Sequence, residues 1–343
     1  MTGPSGASGV LVDCAGARMG GALRFLTELD SYLNARPAAP VHLVGRGRGM
    51  APSWLARRER PARYRRAVAL NNIGFVASGA QRWVLLRNLL HFLPPEDIRR
   101  LPGGLPPKVL GTAHVVRACA RRSDVVVVPT TAMAERVSAA VPGLASRIVV
   151  RPHPLSPIPR PREDRGAATP LGAPGTPDFL CPVLFAPFKA MGALLRPVDE
   201  AAELVSEASG ADVRVTVTAT ASEARAEGLA GAHRLRFVGR LSPDRLAGLQ
   251  RGCRALVYPT RIESFGYPLA EARLAGVPVV APDTAQNREV AGPVLTPYDR
   301  ADPVDIAAAM QTAMHAVFAP EAANPFDPER YFDWLLNPSG SLS

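Results

Sequence analysis

The sequence predicts an α/β protein built from two parallel-sheet domains. Three observations lead there: strand-length apolar runs alternate with helical segments, a proline- and arginine-rich stretch interrupts that series after residue 156, and a second series starts at Phe179. Residues 9–14, Gly-Val-Leu-Val-Asp-Cys, read as a strand buried on both faces. The loop 15–21 ends in Gly20-Gly21, and a helix follows over 22–33. Strand, glycine loop and helix form the opening of a Rossmann-like half. Further strands are expected at 41–44, 82–86, 125–128 and 148–150, with helices over 109–122 and 132–140.

Residues 157–178 carry no apolar periodicity and predict an interdomain linker or a disordered insertion. Beyond them come a strand at 183–185, a helix over 194–208, strands at 213–217 and 236–238, a helix over 242–250 and a strand at 256–258. The expected domains are therefore 1–156 and 179–325. The amphipathic segment 328–336 offers Tyr331, Phe332, Trp334 and Leu335 for burial, within a C-terminal piece 326–343.

At 343 residues and 47% apolar composition the chain can bury two cores. No run approaches the ~18 apolar residues of a membrane span. Residues 1–9 are small and polar, without the basic n-region of a secretory signal, so a cytoplasmic location is expected. The four cysteines, Cys14, Cys119, Cys181 and Cys253, lack C-x-x-C spacing and suggest buried free thiols rather than a zinc site or disulfides. The net charge of +10 comes mostly from arginine and is densest from Arg57 to Arg66. That stretch reads as a solvated basic loop, with the inner membrane face or an anionic acceptor as its candidate contacts. No helix-turn-helix, RNA-recognition or zinc-finger pattern accompanies the charge, so no nucleic-acid partner is expected.

The segment from Pro259 to Glu271 carries the most chemistry. Glu263 lies in a loop after the 256–258 strand and Glu271 lies eight residues on, expected in the first turn of a helix that Pro268 opens at its first position. The backbone N–H groups of residues 264–269 then point out of a helix N-terminus, which suits phosphate and sugar oxygens. Carboxylates accept hydrogen bonds from hydroxyl pairs, whereas a diphosphate needs N–H dipoles and a cation. Lys189, in a chain that uses arginine nearly everywhere, is the candidate cation.

Glu263-Ser264-Phe265-Gly266-Tyr267-Pro268, Glu271 and the following Ala275-Gly276-Val277-Pro278-Val279-Val280 resemble the nucleotide-sugar site of glycosyltransferase family 4, the retaining transferases of GT-B fold. The resemblance implies two Rossmann-like domains facing a cleft, with the final helix crossing back onto the first. It also implies an NDP-sugar donor, no metal or other cofactor, and transfer of a hexosyl unit to a hydroxyl of a glycan, glycolipid or small metabolite. Glu263 would take the sugar hydroxyls and Glu271 the ribose, with Ser264, Phe265, Gly266 and Tyr267 close to sugar and phosphate. Lys189 would meet the diphosphate, and Gly20 and Gly21 would approach it from the first domain.

The chain departs from the family pattern in two places. Leu184 stands where an arginine is usual, which makes Arg240 and Arg261 candidate replacements. Arg87-Asn88 stands where a His-Asp pair is usual, so Arg87 or Asn88, with His91 nearby, would contact sugar or acceptor. No D-x-D pair sits in a plausible loop, in line with metal-independent transfer. A second reading is a catalytically silent GT-B protein that binds nucleotide-sugar or supports a partner. A phosphorylase of related fold would need a pyridoxal-phosphate lysine motif that the sequence lacks.

Overall fold

The computed structural model describes residues 9–101, 104–105, 107–157, 178–186 and 189–337. The chain forms two compact units: Met1–Arg99 with Leu105–Ser156 and Pro325–Ser343, and Arg100–Gly104 with Pro157–Asn324. All of the predicted linker except Pro157 and Asp178 falls outside the described residues.

Unit 1 holds β1 (Val10–Asp13), α1 (Gly20–Asn34), β2 (Val41–Val44), α2 (Pro52–Arg57), β3 (Arg66–Ala69), β4 (Gln81–Leu85), α3 (Pro95–Arg100), α4 (Pro107–Arg122), β5 (Val125–Val128), α5 (Thr131–Ala140) and β6 (Ile148–Val150). Its sheet is parallel throughout, in the order β2-β1-β3-β4-β5-β6. β1, β3 and β5 are buried at every position, which is why β5 appears in the sequence as an unbroken apolar run and β1 is apolar up to Asp13.

β3 escaped the sequence reading because it starts with an arginine at the end of a basic run. Arg66 is 1% exposed: its Nη1 donates to the carbonyls of Trp334 (3.1 Å) and Leu335 (2.8 Å), its Nε to Gln81 Oε1 (3.2 Å), and its guanidinium lies 3.9 Å from the Trp83 ring centroid. Those carbonyls end the last helix of the chain, Pro328–Leu336, where four C=O groups lack helical partners and the dipole favours a cation. Burial pushes the Arg66 pKa down to about 10, so it stays charged at neutral pH. Arg58 is 2% exposed as well. The stretch from Arg57 to Arg66 is therefore not one solvated basic face, since two of its arginines are internal.

The last helix packs within unit 1. Tyr331, Phe332, Leu335 and Leu336 are buried, Phe332 meets Phe25 of α1 edge-on at 5.5 Å, and the Tyr32 hydroxyl donates to Asp333 (2.6 Å). Trp334 is only partly buried, 4.9 Å from Trp83.

Unit 2 holds β7 (Phe179–Cys181), α6 (Met191–Ser209), β8 (Val215–Val217), α7 (Ala221–Ala226), β9 (Leu235–Phe237), α8 (Pro243–Gly252), β10 (Ala255–Val257), α9 (Tyr267–Ala275), β11 (Val279–Pro282), α10 (Ala285–Ala291), β12 (Leu295–Tyr298) and α11 (Pro303–His315); the last helix of the chain, in unit 1, is α12. The expected strand at 183–185 is displaced. Pro182 has no N–H to give a ladder, so the first strand stops at Cys181 and residues 182–186 run on as an irregular loop. The strand expected at 213–217 shortens to β8, and the helix expected over 194–208 begins at Met191.

The second sheet is parallel in the order β12-β11-β10-β7-β8-β9. The chain runs outward from β7 to β9, then returns to lay β10 on the other side of β7. In open α/β sheets the carboxyl ends of two such strands border the crevice where ligands bind.

The four cysteines are free and buried. Burial raises the thiol pKa of each, to about 12 for Cys14 and Cys253. Among the described residues no helix is long and apolar enough to cross a membrane.

Candidate functional site

Two loops meet at the switch point of the second sheet. The first leaves β10 through Tyr258 and enters α9. Gly266, at φ 87°, is the N-cap; an added Cβ would lie 3.1 Å from Leu269 Cδ1, so glycine suits both the backbone and the space. α9 starts at Tyr267, one residue earlier than expected, which puts Pro268 at the second helical position and Glu271 in the second turn. Leu269 N–H bonds to Gly266 O (3.0 Å) and Ser264 N–H to Glu263 Oε1 (3.1 Å), so the row of amides expected to face outward is shorter than the sequence suggested. Ser264 (8% exposed), Phe265 (2%) and Tyr267 (9%) are buried; Phe265 and Tyr267 stack edge-on at 5.2 Å, and Gln286 donates to Phe265 O.

The second loop leaves β7 and carries Lys189. Its neighbour Ala190 caps α6 at φ 45°, ψ 52°, a left-handed conformation costing a non-glycine residue about 1–2 kcal/mol. Gly192 is needed there: a Cβ would sit 2.0 Å from Glu227 O, while its N–H donates to Glu227 Oε2 (3.0 Å). Strain and close packing hold the entry to α6 in one shape, and stored strain of this kind concentrates at functional sites.

The two loops are joined by charge. Lys189 Nζ lies 3.5 Å from Glu263 Oε2, both side chains about one-fifth exposed, and the Tyr258 hydroxyl donates to the same oxygen at 2.9 Å. Tyr258 is 4% exposed; burial first, then the Glu263 charge, push its pKa well above the ordinary tyrosine value, so it remains a donor. Glu263 thus has one oxygen held by a phenol and a backbone amide on the other, with an ammonium alongside. Sequence reasoning missed Tyr258, whose only signal was its place between a strand and the Glu263 loop.

The remaining cations do not join this cluster. Arg240 is 58% exposed and pairs with Glu223 (2.8 Å), the residue that completes the capping box of α7, and Arg261 donates to Asp299 O.

In unit 1, Gly20, Gly21, Arg87 and Asn88 come together. Gly20 (φ 56°) and Gly21 open α1 and are exposed, with open space around Gly20, and Arg87 Nη2 donates to Gly21 O (2.7 Å) while stacking on Phe25 at 4.6 Å. Asn72, itself at φ 69°, accepts from the amides of Arg87 (2.6 Å) and Asn88 (3.0 Å) through one oxygen. Asn88 in turn caps the short 3-10 helix Leu89–Phe92 by accepting from Leu90 N–H (3.1 Å). His91 sits inside that turn at 7% exposure, with Nε2 3.4 Å from Thr112 Oγ1 and its carbonyl accepting from Arg117 (2.9 Å). Burial, then the Arg117 charge, lower its pKa to about 4, so it is neutral and packed at physiological pH.

A buried polar hub that the sequence did not reveal lies at the end of β1. Asp13 (0% exposed) pairs with Arg58 and accepts from Ala15 N (3.0 Å), Trp54 Nε1 (3.3 Å) and Asn71 Nδ2 (2.7 Å); Arg58 also donates to the carbonyls of Ile73 and Gly74 (2.7 Å each).

Two parallel six-stranded sheets, with a lysine and a carboxylate facing each other across a switch point, define a two-domain α/β protein of GT-B fold. Solved structures share it. WaaG, a glycosyltransferase involved in lipopolysaccharide biosynthesis, superposes with a TM-score of 0.62 at 14% identity, over 97% of this chain and 100% of that one. UDP-GlcNAc 2-epimerase from Methanocaldococcus jannaschii reaches 0.53 at 11% identity, over 95% and 98%. TarM gives 0.50 at 14% identity over 80% of this chain, which spans 55% of the length of TarM. An epimerase on the same architecture means that fold alone does not fix the reaction. Residues 185–316, within the C-terminal unit, match the family model Glycosyl transferases group 1. No curated protein sequence matches the chain.

Proposed function

We propose that the protein is a retaining, metal-independent glycosyltransferase of family 4 that moves a hexosyl unit from an NDP-sugar to a hydroxyl acceptor in the cytoplasm. The observation that carries this is the Lys189–Glu263 pair at the β7/β10 switch point, with Glu263 held by Tyr258. In this reading Glu263 accepts hydrogen bonds from the sugar hydroxyls and Glu271 from the ribose. Lys189 moves from Glu263 to the diphosphate, where an ammonium stabilises the charge that develops on the leaving group. The entry to α9 at Ser264, Phe265, Gly266 and Tyr267 borders sugar and phosphate. The leaving phosphate takes the acceptor proton on the face from which it departs, so Glu263 is a binding group rather than a glycosidase-type nucleophile. Gly20, Gly21, Arg87 and Asn88 form the contribution of unit 1 toward sugar and acceptor.

The test is mass-spectrometric detection of nucleoside diphosphate release and sugar transfer from UDP-, GDP-, ADP- and dTDP-sugars with pooled hydroxyl acceptors, comparing wild type with Glu263→Ala and Lys189→Ala. Turnover of one donor class, lost in both variants, is expected. A donor that binds and is never turned over would replace the transferase with a nucleotide-sugar-binding protein.

A further inference from the structure

Unit 1 carries a pocket of about 310 Å³ lined by Arg18, Gly47, Arg48, Ser53, Trp54 and Arg57 among others. It lies where the loops after β1 and β2 meet, at the carboxyl edge of the first sheet and next to the β1/β3 switch point of that sheet. Arg18, Arg48 and Arg57 are among its lining residues, and among the described residues no carboxylate lines it and none of these three forms an ion pair. Three arginines without ion pairs around one concavity leave a positive potential there.

The pocket is built rather than a chance gathering of surface side chains. Its two loops are bonded together by Gly16 N–H to Arg48 O (2.8 Å) and Arg18 Nη2 to Gly47 O (2.8 Å). Trp54 is anchored through its indole N–H to buried Asp13, and Arg48 stacks on its ring at 5.1 Å. Behind them Gly45, at φ 77°, allows no side chain, since a Cβ would lie 2.4 Å from Asp13 Oδ1 and 2.9 Å from Trp54 Cζ2. The Asp13–Arg58 hub thus fixes the floor while the rim arginines are left exposed to bind.

We propose that this pocket binds a phosphate group, and that through it unit 1 takes an acceptor carrying a phosphate. The acceptor role rests on the transferase reading; the binding does not. Planar guanidinium groups match phosphate oxygens in pairs, and three of them neutralise a phosphate monoester with charge to spare.

The experiment uses the full chain. Calorimetric titration with glucose 6-phosphate, with glucose as the uncharged control, is set beside sedimentation with phosphatidylglycerol-containing vesicles and with pure phosphatidylcholine vesicles. Arg48→Gln, Arg57→Gln and their double variant are compared with Arg63→Gln, an exposed arginine outside the pocket. Each pocket substitution should weaken phosphate binding about tenfold, the size of one charge-assisted hydrogen bond, and Arg63→Gln should not. Saturation by glucose 6-phosphate identifies a soluble phosphorylated acceptor, and saturation by the anionic vesicles alone identifies a lipid phosphate. Binding to neither, or binding that the pocket variants leave intact, overturns the proposal. Donor breakdown without acceptor is measured in parallel. It should be unchanged in the pocket variants, and its absence from wild type would count against the transferase and not against the pocket.

Discussion

Replacing Arg58 by methionine should be among the most damaging single changes available in unit 1. The substitution keeps much of the side-chain length but removes the cation beside a carboxylate that is 0% exposed. Asp13 would keep three donors, Ala15 N–H, Trp54 Nε1 and Asn71 Nδ2, and lose its ion-pair partner. The carbonyls of Ile73 and Gly74 would each lose a 2.7 Å bond, and Phe75 its stacked guanidinium at 4.4 Å. Stranding one member of a buried ion pair costs about 3–5 kcal/mol, and for a domain of this size that lowers Tm by about 10 °C. The three tryptophans, Trp54, Trp83 and Trp334, all belong to unit 1, so tryptophan emission during urea or thermal unfolding of the whole protein reports this unit alone. Asp13→Asn combined with Arg58→Met should regain part of the loss, because a neutral amide tolerates burial better than an unpaired carboxylate. A cost under about 1 kcal/mol for the single variant would refute the reasoning, since it would mean that Asp13 is hydrated or protonated once Arg58 is gone.

Three further outcomes are expected. Tyr258→Phe leaves the fold intact and lowers donor turnover about tenfold by removing the hydroxyl that holds Glu263; unchanged kcat/KM would show that the phenol does not position the carboxylate. The buried neutral His91 binds a proton less readily folded than unfolded, so its contribution to stability is whole above pH 6.5 and is lost as pH falls toward 4. His91→Leu should therefore flatten the acid side of the tryptophan-monitored stability profile by on the order of 3 kcal/mol, and a profile parallel to wild type would contradict that. Ala190→Gly relieves a left-handed alanine and should raise the calorimetric Tm of unit 2 or leave it level while reducing transfer; a drop in Tm would show that the residue is not strained.

Several features could be read directly from the residues. β5 is a continuous apolar run, and β1 is one up to Asp13, because parallel strands covered on both faces have no solvent side to show, and the entry to α9 announces itself through Gly266 and Pro268, whose backbone preferences are local. Where a neighbour decides, the sequence misleads. Pro182 truncates β7, and Glu271 slips into the second turn because the helix starts at Tyr267. What the sequence by itself determined is the set of short-range facts: two α/β series, the Glu263–Tyr267 loop, and a lysine placed before a helix. Tertiary structure decided which charges are internal. Arg58, Arg66 and Arg57 look alike in one basic run, yet the first is drawn in by Asp13, the second by the terminal carbonyls of α12 some 270 residues away, and the third is left facing a pocket. The burial of a charge depends on the partner that compensates it, and those partners are set by chain segments distant in sequence.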